Sequence, residues 1–191
     1  MQKTQTIKSR KLNSKIKECV KSGGVGVIKT DTIYGLIGSA LNKRTVQRIY
    51  RIKKRNSAKP LIVLIASFAD LKKFNITLNP KSRAVLSRLW PGPVSVILPC
   101  ASSRFKYLHR GTKSIAFRMP KLIKLRGFLR SVGPLVAPSA NTEGFSPAKN
   151  IKEAEGYFGN AIAFYVDGGS AGSRASKLFK LEGDTLKILR S

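Results

Sequence analysis

The sequence predicts an α/β fold, a twisted mixed β-sheet with flanking helices. Helical and extended patterns alternate early in the chain and extended patterns cluster near its end, and this order favours a mixed sheet. A length of 191 residues with 42% hydrophobic content fits a single domain over residues 1–191 that buries a real core. Residues 1–22 are expected to form a basic segment and a first helix. No apolar run approaches the ~20 residues that span a bilayer, so we expect no membrane segment.

The early elements follow from hydrophobic periodicity. Leu12, Ile16 and Val20 recur at helical spacing until Gly23 and Gly24 end the pattern. We predict helices over 12–20 and 45–54, strands over 25–29 and 60–66, and a loop over 30–36. The last of these strands is continuously apolar, which is typical of a strand buried on both faces.

The later elements end at residues that break regular structure. Pro91-Gly92-Pro93 stops one helix, Gly159 stops another, and Glu182-Gly183-Asp184 is a plausible hairpin turn. We predict helices over 80–89, 122–132 and 150–158, and strands over 94–99, 114–118, 135–137, 163–166, 178–181 and 186–189. Asn150 and Glu153 resemble a capping box at the start of the last helix. A basic loop is expected between the strands over 94–99 and 114–118.

The charge balance is strongly positive. Lys and Arg number 37 against nine Asp and Glu, which gives a formal net charge of +28. A chain with this charge is drawn to polyanions such as RNA, nucleotides and anionic lipid heads. Because the cations are spread along the chain, two explanations stay open: a nucleic-acid surface or a general basic bias.

Cysteine and histidine usage indicates a reduced protein without a metal site of its own. Cys19 and Cys100 lack C-x-x-C spacing, so we expect buried, reduced thiols in a cytoplasmic protein. The N-terminus has no apolar signal region, which makes secretion unexpected. The sequence has no Ser or Cys nucleophile motif for which His109 could act as a general base, so His109 is expected to be a loop residue.

Two polar segments could bind a ligand through hydroxyls, amides and a guanidinium. Thr30-Asp31-Thr32 follows a predicted strand and could bind the polar groups of an amino acid, or it could satisfy its own backbone in a turn. Ser139-Ala140-Asn141 follows another strand and could hold ribose or phosphate oxygens, or cap a helix. Arg118 ends a strand and could pair with a carboxylate, while the turn over 167–173 could approach a ligand.

Lys53 and Arg55 suit phosphate oxygens, because a guanidinium fork and an ammonium provide complementary donors. Residues two apart do not share a helix face. Both could therefore face one site only if the helix ends between them. The alternative is a solvated basic face.

These segments together resemble the YrdC-type threonylcarbamoyl-AMP synthases, which make the activated intermediate for the threonylcarbamoyladenosine modification of tRNA. The similarity extends from about Gly23 to Arg190. It is carried by Thr30-Asp31-Thr32-Ile33-Tyr34-Gly35-Leu36, Lys53-x-Arg55, Lys59-Pro60-Leu61-Ile62-Val63, Trp90-Pro91-Gly92-Pro93, Arg118-Met119-Pro120, Ala137-Pro138-Ser139-Ala140-Asn141, Asp167-Gly168-Gly169, and Ser176 with Arg190. Their order and spacing make the resemblance specific. It implies a YrdC-like domain with a basic concave surface.

The resemblance also implies a reaction and its site residues. L-threonine, bicarbonate or CO2, and ATP would give threonylcarbamoyl-AMP and pyrophosphate. Threonine would be held by Thr32, Arg118, Ala137 and Ser176. The nucleotide would contact Arg55, Lys59, Ser114, Ser139, Asn141 and Arg190. The polar tetrad associated with activity would be Lys53, Arg55, Ser139 and Asn141.

The implied chemistry asks for charge neutralisation and positioning, because a threonine carbamate attacking the α-phosphate brings two anions together. With few acids in the chain, Mg2+ would be carried mainly by the phosphates of ATP. The chain resembles the short form of the family, which works with separate tRNA threonylcarbamoyltransferase partners. The alternative function is an RNA-binding module with a non-catalytic pocket.

Overall fold

Ten strands form one mixed β-sheet in the computed structural model, which describes residues 6–172 and 174–191. The strands are β1 (Ile7–Ser9), β2 (Gly26–Lys29), β3 (Tyr34–Ser39), β4 (Ile62–Leu64), β5 (Val94–Pro99), β6 (Ser114–Arg118), β7 (Leu135–Val136), β8 (Phe164–Val166), β9 (Lys177–Glu182) and β10 (Thr185–Arg190). Their order across the sheet is β1-β8-β2-β3-β7-β4-β6-β5-β9-β10. Parallel pairs such as β4–β6 and antiparallel pairs such as β5–β6 both occur. The predicted mixed sheet is confirmed.

Helices flank this sheet. Within the described residues they are α1 (Ser14–Lys21), α2 (Lys43–Lys53), α3 (Pro80–Ser87), α4 (Lys106–His109), α5 (Ile123–Val132) and α6 (Ile151–Phe158), with a 3-10 segment at Phe68–Phe74. Four of them begin at an asparagine whose side-chain oxygen accepts a hydrogen bond from the backbone amide three residues on: Asn13, Asn42, Asn79 and Asn150. Each such cap contributes about 1 kcal/mol. None of the helices in this part of the chain has the length and apolarity to span a bilayer.

The core has two parts, one on each face of the sheet. Consecutive residues of a strand point to opposite faces, and Val27 and Ile28 of β2 accordingly belong to different buried clusters. One cluster contains the aromatic rings of Phe74, Phe105 and Phe117, whose centroids lie 5.0–5.2 Å apart around Phe74. The other packs α1 and α5 against the sheet.

Three elements differ from the prediction. The expected loop over 30–36 is wrong from Tyr34 onward, because β3 begins there and pairs with β2 and β7. β1 forms in the basic N-terminal segment by pairing with β8, and α4 interrupts the predicted basic loop before β6. β1 and β3 each pair with a strand distant in sequence, β8 and β7 respectively, which local periodicity does not reveal. Residues 1–5 of the N-terminal segment and Ser173 of the predicted turn lie outside the described residues.

Candidate active site

A cavity of ≈ 150 Å³ lies where strand ends and loops meet, and we call it the strand-end cavity. It is lined by Thr30, Thr32, Ile33, Gly35, Arg55, Pro60, Leu61, Ile62, Arg118, Ala137, Pro138, Ser139, Ala175, Ser176 and Arg190. Seven of these were expected at the site: Thr32, Arg55, Arg118, Ala137, Ser139, Ser176 and Arg190. The cavity continues into a groove that shares Thr32, Ala175 and Arg190 with it. Tertiary structure therefore gathers residues separated by up to 160 positions, from Thr30 to Arg190.

Arg118 is the buried cation of this cavity. It ends β6 and is only 5% exposed. Its NH1 donates to Oγ1 of Thr32 at 2.7 Å, and its NH2 lies 3.2 Å from Oδ1 of Asp31. The other carboxylate oxygen of Asp31 accepts from the Lys121 amide. Nε of Arg118 is buried without a hydrogen-bond partner among the described residues. A guanidinium held this firmly, with its Nε donor still unpaired, is suited to orienting a carboxylate.

The segment Thr30-Asp31-Thr32 satisfies its local backbone, which is one of the two roles that its sequence allowed, and it also contacts Arg118. The hydroxyl of Thr30 donates to the Ile33 carbonyl at 2.7 Å and accepts from the Thr32 amide, so it satisfies the local backbone in a turn. Thr32 and Asp31 instead hold Arg118. The turn thus presents the Thr32 hydroxyl to the cavity while Thr30 fixes the backbone.

Lys53 lies behind the cavity wall and is only 1% exposed. Its ammonium donates to the carbonyl and Oδ1 of Asn141 and to the Ser139 carbonyl, each at 2.8 Å, with the Ser139 hydroxyl at 3.3 Å. Three ammonium hydrogens facing four oxygens leave none for a substrate. The pKa of Lys53 is lowered to about 8, chiefly by burial and also by the charge of Arg55, while the charge of Glu143 acts in the opposite direction. Lys53 is not among the residues that line the cavity, and the phosphate contact expected of Lys53 together with Arg55 stays a prediction.

Asn141 completes the support behind the wall. It is 6% exposed. Its amide nitrogen donates to the carbonyls of Thr142 and Phe145 at 2.9 and 2.7 Å, while its oxygen accepts from Lys53. All its polar groups are thus used within the loop. Ser139, which lines the cavity, is held in place by Lys53 and by a bridge to Gly35.

Arg55 enters the cavity because α2 ends at Lys53. Lys54 adopts a left-handed conformation with φ of 51°, and the chain reverses direction there. The sequence required such an end for Lys53 and Arg55 to approach one region, and the structure has it. The Arg55 guanidinium donates to the carbonyls of Lys59 and Pro60 at 3.3 and 3.2 Å. These two contacts leave part of the fork available to an anion in the cavity.

Lys59 and Ser114 do not line the cavity. Nζ of Lys59 pairs with Glu143 at 2.7 Å, and that hydrogen bond is the largest cause of the lowered Glu143 pKa. Ser114 starts β6 and shares a strand face with Arg118 four residues on, about 13 Å away. The nucleotide contacts expected of both residues stay predictions, and they require the nucleotide to extend beyond the cavity.

Ser176 and Arg190 form another part of the wall of the strand-end cavity. The Ser176 hydroxyl lies 2.9 Å from that of Ser95, and its carbonyl accepts from the Arg190 guanidinium at 2.8 Å. This bond links the last strand to the segment that precedes β9. Arg190 therefore presents a second exposed guanidinium to the cavity, anchored by one backbone contact.

The turn at Asp167-Gly168-Gly169 packs on Tyr34. The Tyr34 hydroxyl donates to the Gly169 carbonyl at 2.7 Å and accepts from the Gly168 amide at 3.0 Å. Gly172, later in the predicted turn, lines the groove beside the cavity, and the expected approach to a ligand stays a prediction. The loop position expected for His109 is wrong, because His109 is the last residue of α4, where it accepts from the Gly111 amide.

Sequence reasoning missed Glu143 and the backbone of Pro60–Ile62. Glu143 joins the loops around Arg55 and Ser139 by accepting from Lys59 and the Asn56 amide. It is one of only nine acidic residues, and its position two residues after Asn141 was the available signal. Hydrophobic periodicity offered no signal that Pro60–Ile62 would line the cavity, because an apolar strand predicts only burial.

Comparisons with known proteins agree with this geometry. The family model Sua5/YciO/YrdC, described as "Telomere recombination", matches residues 18–191. A threonylcarbamoyl-AMP synthase of Pyrococcus abyssi is 34% identical over 157 residues, which cover 78% of this chain and 44% of the relative. A threonylcarbamoyl-AMP synthase of Thiobacillus denitrificans is 31% identical over 173 residues, covering 90% of this chain and 91% of the relative. The chain spans about half the length of the first curated relatives, with 44% and 45% covered.

Solved structures share the fold. The crystal structure of P. abyssi Sua5 complexed with L-threonine matches with a TM-score of 0.87 at 27% identity, covering 98% of this chain and 57% of that chain. The crystal structure of E. coli YciO matches with a TM-score of 0.83 at 20% identity, covering 98% and 95%. The second likeness concerns the fold alone.

Proposed function

Because the chain belongs to the Sua5/YciO/YrdC family, we propose that it is a threonylcarbamoyl-AMP synthase. It would convert L-threonine, bicarbonate or CO2, and ATP into threonylcarbamoyl-AMP and pyrophosphate. The observation that carries this proposal is one cavity lined by Arg118 and Thr32, suited to a carboxylate and hydroxyl, and by Arg55, Ser139 and Arg190, suited to phosphate oxygens. The relative solved with L-threonine supports that choice of amino acid.

The reaction makes one P–O bond and breaks another. The threonine amine and bicarbonate first give a carbamate and water. A carbamate oxygen then attacks the α-phosphorus of ATP, and the bond to the departing pyrophosphate breaks. Both reactants are anions, so lowering their repulsion and aligning them is the main task of the protein. Arg55 and Arg190 would neutralise phosphate charge, while Arg118 would hold the threonine carboxylate.

Mg2+ would enter with ATP. Among the described residues, no group of three or more His, Cys, Asp or Glu is placed to hold a metal ion, and no carboxylate lines the strand-end cavity. The donor set of the cavity therefore does not fit a resident metal. The ion's contribution would be to neutralise the phosphates that carry it.

The product would serve tRNA modification through a separate threonylcarbamoyltransferase. We place the reaction in the cytoplasm, because Cys100 and Cys19 are both unpaired and a reducing compartment keeps them so. Cys100 is buried as expected, whereas Cys19 is only half-buried.

Pyrophosphate release from ATP and bicarbonate, with and without L-threonine, tests the proposal. We expect threonine-dependent release that Arg55→Gln lowers by on the order of 10²-fold, because a charge contact to the transition state is lost. Arg51→Gln is the matched control, since Arg51 is exposed on α2 outside the strand-end cavity. Threonine-independent release, or equal rates for the two variants, would contradict the proposed function.

The net charge of +28 favours a second candidate function, RNA binding without catalysis. A basic groove beside α2, lined by Arg51, Lys54, Arg55 and Arg110, meets the strand-end cavity at Arg55. RNA binding that weakens steeply with salt, and that Asn141→Ala leaves unchanged, would assign it to this surface rather than to the cavity. It would replace the synthase proposal only if threonine-dependent release were absent.

A further inference from the structure

A second cleft, which we call the α1–α5 cleft, lies away from the strand-end cavity and shares no lining residue with it. Its volume is ≈ 700 Å³, which is within the range of pockets that bind small organic molecules. It is lined by Arg10, Lys11, Leu12, Lys17, Ile28, Lys29, Lys124, Gly127, Phe128, Val166 and Gly168. The proposed reaction uses none of these residues.

The cleft is more basic than the chain as a whole. Five of its eleven lining residues are Lys or Arg, against 37 of 191 in the sequence. Among the described residues that line it, none is acidic, and none of the five cations belongs to an ion pair. Lys29 donates to the Gly168 carbonyl at 3.0 Å. Unneutralised cations converging on one concave site favour an anionic occupant.

The floor of the cleft is apolar. Ile28, Phe128 and Val166 form part of the buried cluster beneath α1 and α5, with Leu12 packed against it. Ile28, Phe128 and Val166 are only 1–6% exposed, so the apolar surface that remains accessible in the cleft is mainly that of the partly buried Leu12. A purely ionic ligand would leave this remaining surface in water, whereas an occupant with an apolar body would cover it and gain hydrophobic free energy.

Gly127 leaves open space on the wall of the cleft. It lies inside α5, where glycine is about 1 kcal/mol less favourable than alanine. A Cβ built at this position meets nothing within 4 Å. Packing within the protein therefore does not require glycine here, and the missing side chain widens the cleft for an occupant.

We infer that the α1–α5 cleft binds a small amphiphilic anion, an organic molecule with an apolar body and a carboxylate or phosphate head. The head would meet cations such as Lys17 of α1 and Lys124 of α5, which both line the cleft, and the body would lie on the apolar floor. This inference goes beyond the proposed synthase function and stands independently of it.

Calorimetric titration with octanoate below its micelle concentration tests the inference. Acetate supplies the charge without the body, and 1-octanol supplies the body without the charge. We expect octanoate to bind with a negative heat-capacity change and both controls to bind at least about tenfold more weakly. Octyl phosphate should bind as octanoate does if a phosphate head is accepted. Octanoate binding no tighter than acetate or 1-octanol overturns the inference.

Matched variants locate the binding. Gly127→Leu fills the cleft and should weaken octanoate binding at least about tenfold, whereas Gly156→Leu should leave it unchanged. Gly156 is the control because it also lies within a helix, α6, outside the cleft, and a Cβ built there would meet nothing within 4 Å.

A second pair of variants changes charge alone. Lys124→Gln should weaken octanoate binding about tenfold, whereas Lys152→Gln, at an exposed residue outside the cleft, should not. Because the lysine pair changes only surface charge, it tests the inference even if Gly127→Leu does not fold.

Two further results would overturn the inference. One is equal octanoate affinity in Lys124→Gln and Lys152→Gln. The other is binding to vesicles of phosphatidylglycerol with none of monomeric octanoate, which would identify the cleft as part of a membrane-binding surface. Vesicles of phosphatidylcholine alone serve as the uncharged control for that arm.

Discussion

At the scale of single residues, Lys53 acts by positioning other groups. Its ammonium donates to the carbonyls of Ser139 and Asn141 at 2.8 Å each, and Lys53 does not line the strand-end cavity. Arg55, two residues on, lines that cavity. Two neighbouring cations are therefore placed differently: Lys53 supports the wall, and Arg55 lies where it would contact a bound anion.

The free energy of unfolding should depend on pH through the titration of the buried Lys53 ammonium. The folded pKa of Lys53 is about 8, below its ordinary 10.5. The unfolded chain therefore binds more protons between these values, and stability attributable to Lys53 rises as the pH increases from 8 to 10.5. Below pH 8 the full cost of the buried charge is present. We expect the free energy of unfolding of the native chain, relative to Lys53→Met, to increase by about 2 kcal/mol between pH 7.5 and pH 10.

Urea unfolding of both proteins at the two pH values measures this difference. Taking the difference between variants cancels the general loss of repulsion as the other lysines deprotonate. A difference that stays constant with pH would contradict the prediction.

Lys53→Met should also lower turnover by on the order of 10²-fold, because Ser139 loses the contact that positions it.

At the scale of elements, α2 lies against β3 because residue 38 is glycine. A Cβ at Gly38 would clash with Cγ2 of Thr45, which lies in the first turn of α2. Thr45 has little freedom to move away, since its hydroxyl also donates to the Gly23 carbonyl at 3.0 Å. The absence of a side chain at residue 38 therefore lets the first turn of α2 pack directly on β3.

We expect Gly38→Ala to destabilise the protein by about 1–3 kcal/mol, because overpacking forces α2 and β3 apart. Gly156→Ala is the matched control. Its Cβ meets nothing, and replacing a helical glycine by alanine should stabilise by about 0.5–1 kcal/mol. Thermal or urea unfolding compares the two substitutions. Equal effects of the same sign would show that close packing at Gly38 does not limit the contact between α2 and β3.

At the scale of the whole molecule, the net charge of +28 opposes the compact state. The described residues form five ion pairs, and only that between Arg118 and Asp31 is deeply buried. Repulsion among the remaining cations is long-range and is screened by salt. The few exposed ion pairs contribute little to the free energy of unfolding, so screening them costs little stability.

Stability should therefore increase with ionic strength. Between 50 mM and 500 mM KCl we expect the free energy of unfolding to rise by about 1–2 kcal/mol, which corresponds to about 3–6 °C in Tm for a chain of this size. Differential scanning calorimetry measures the change, and chloride is preferred because sulfate also strengthens apolar burial. A lower Tm at high salt would mean that specific ion pairs outweigh the overall repulsion.

Local patterns in the sequence predict most elements well. β5 and β6 have the predicted bounds of 94–99 and 114–118, and α6 starts at the predicted Asn150 cap and stops before Gly159. β3 escapes prediction because its two glycines hide the strand pattern, which forms only beside β2 and β7. The membership of Thr32, Arg55 and Arg118 in one site follows from the resemblance of their surrounding segments to a known family, and the structure gathers them in one cavity.

The sequence by itself determined most element types, the positive charge and the set of polar side chains that end strands, because these depend on residues within a few positions of one another. Only the tertiary structure decided how each side chain is used. Arg118 meets Asp31 across 87 positions, and Lys53 reaches Asn141 across 88, because of how the strands and loops are arranged around the cavity. Burial then turns Lys53 into an internal support and leaves Arg55 available, a difference that two cations of similar charge do not show in sequence.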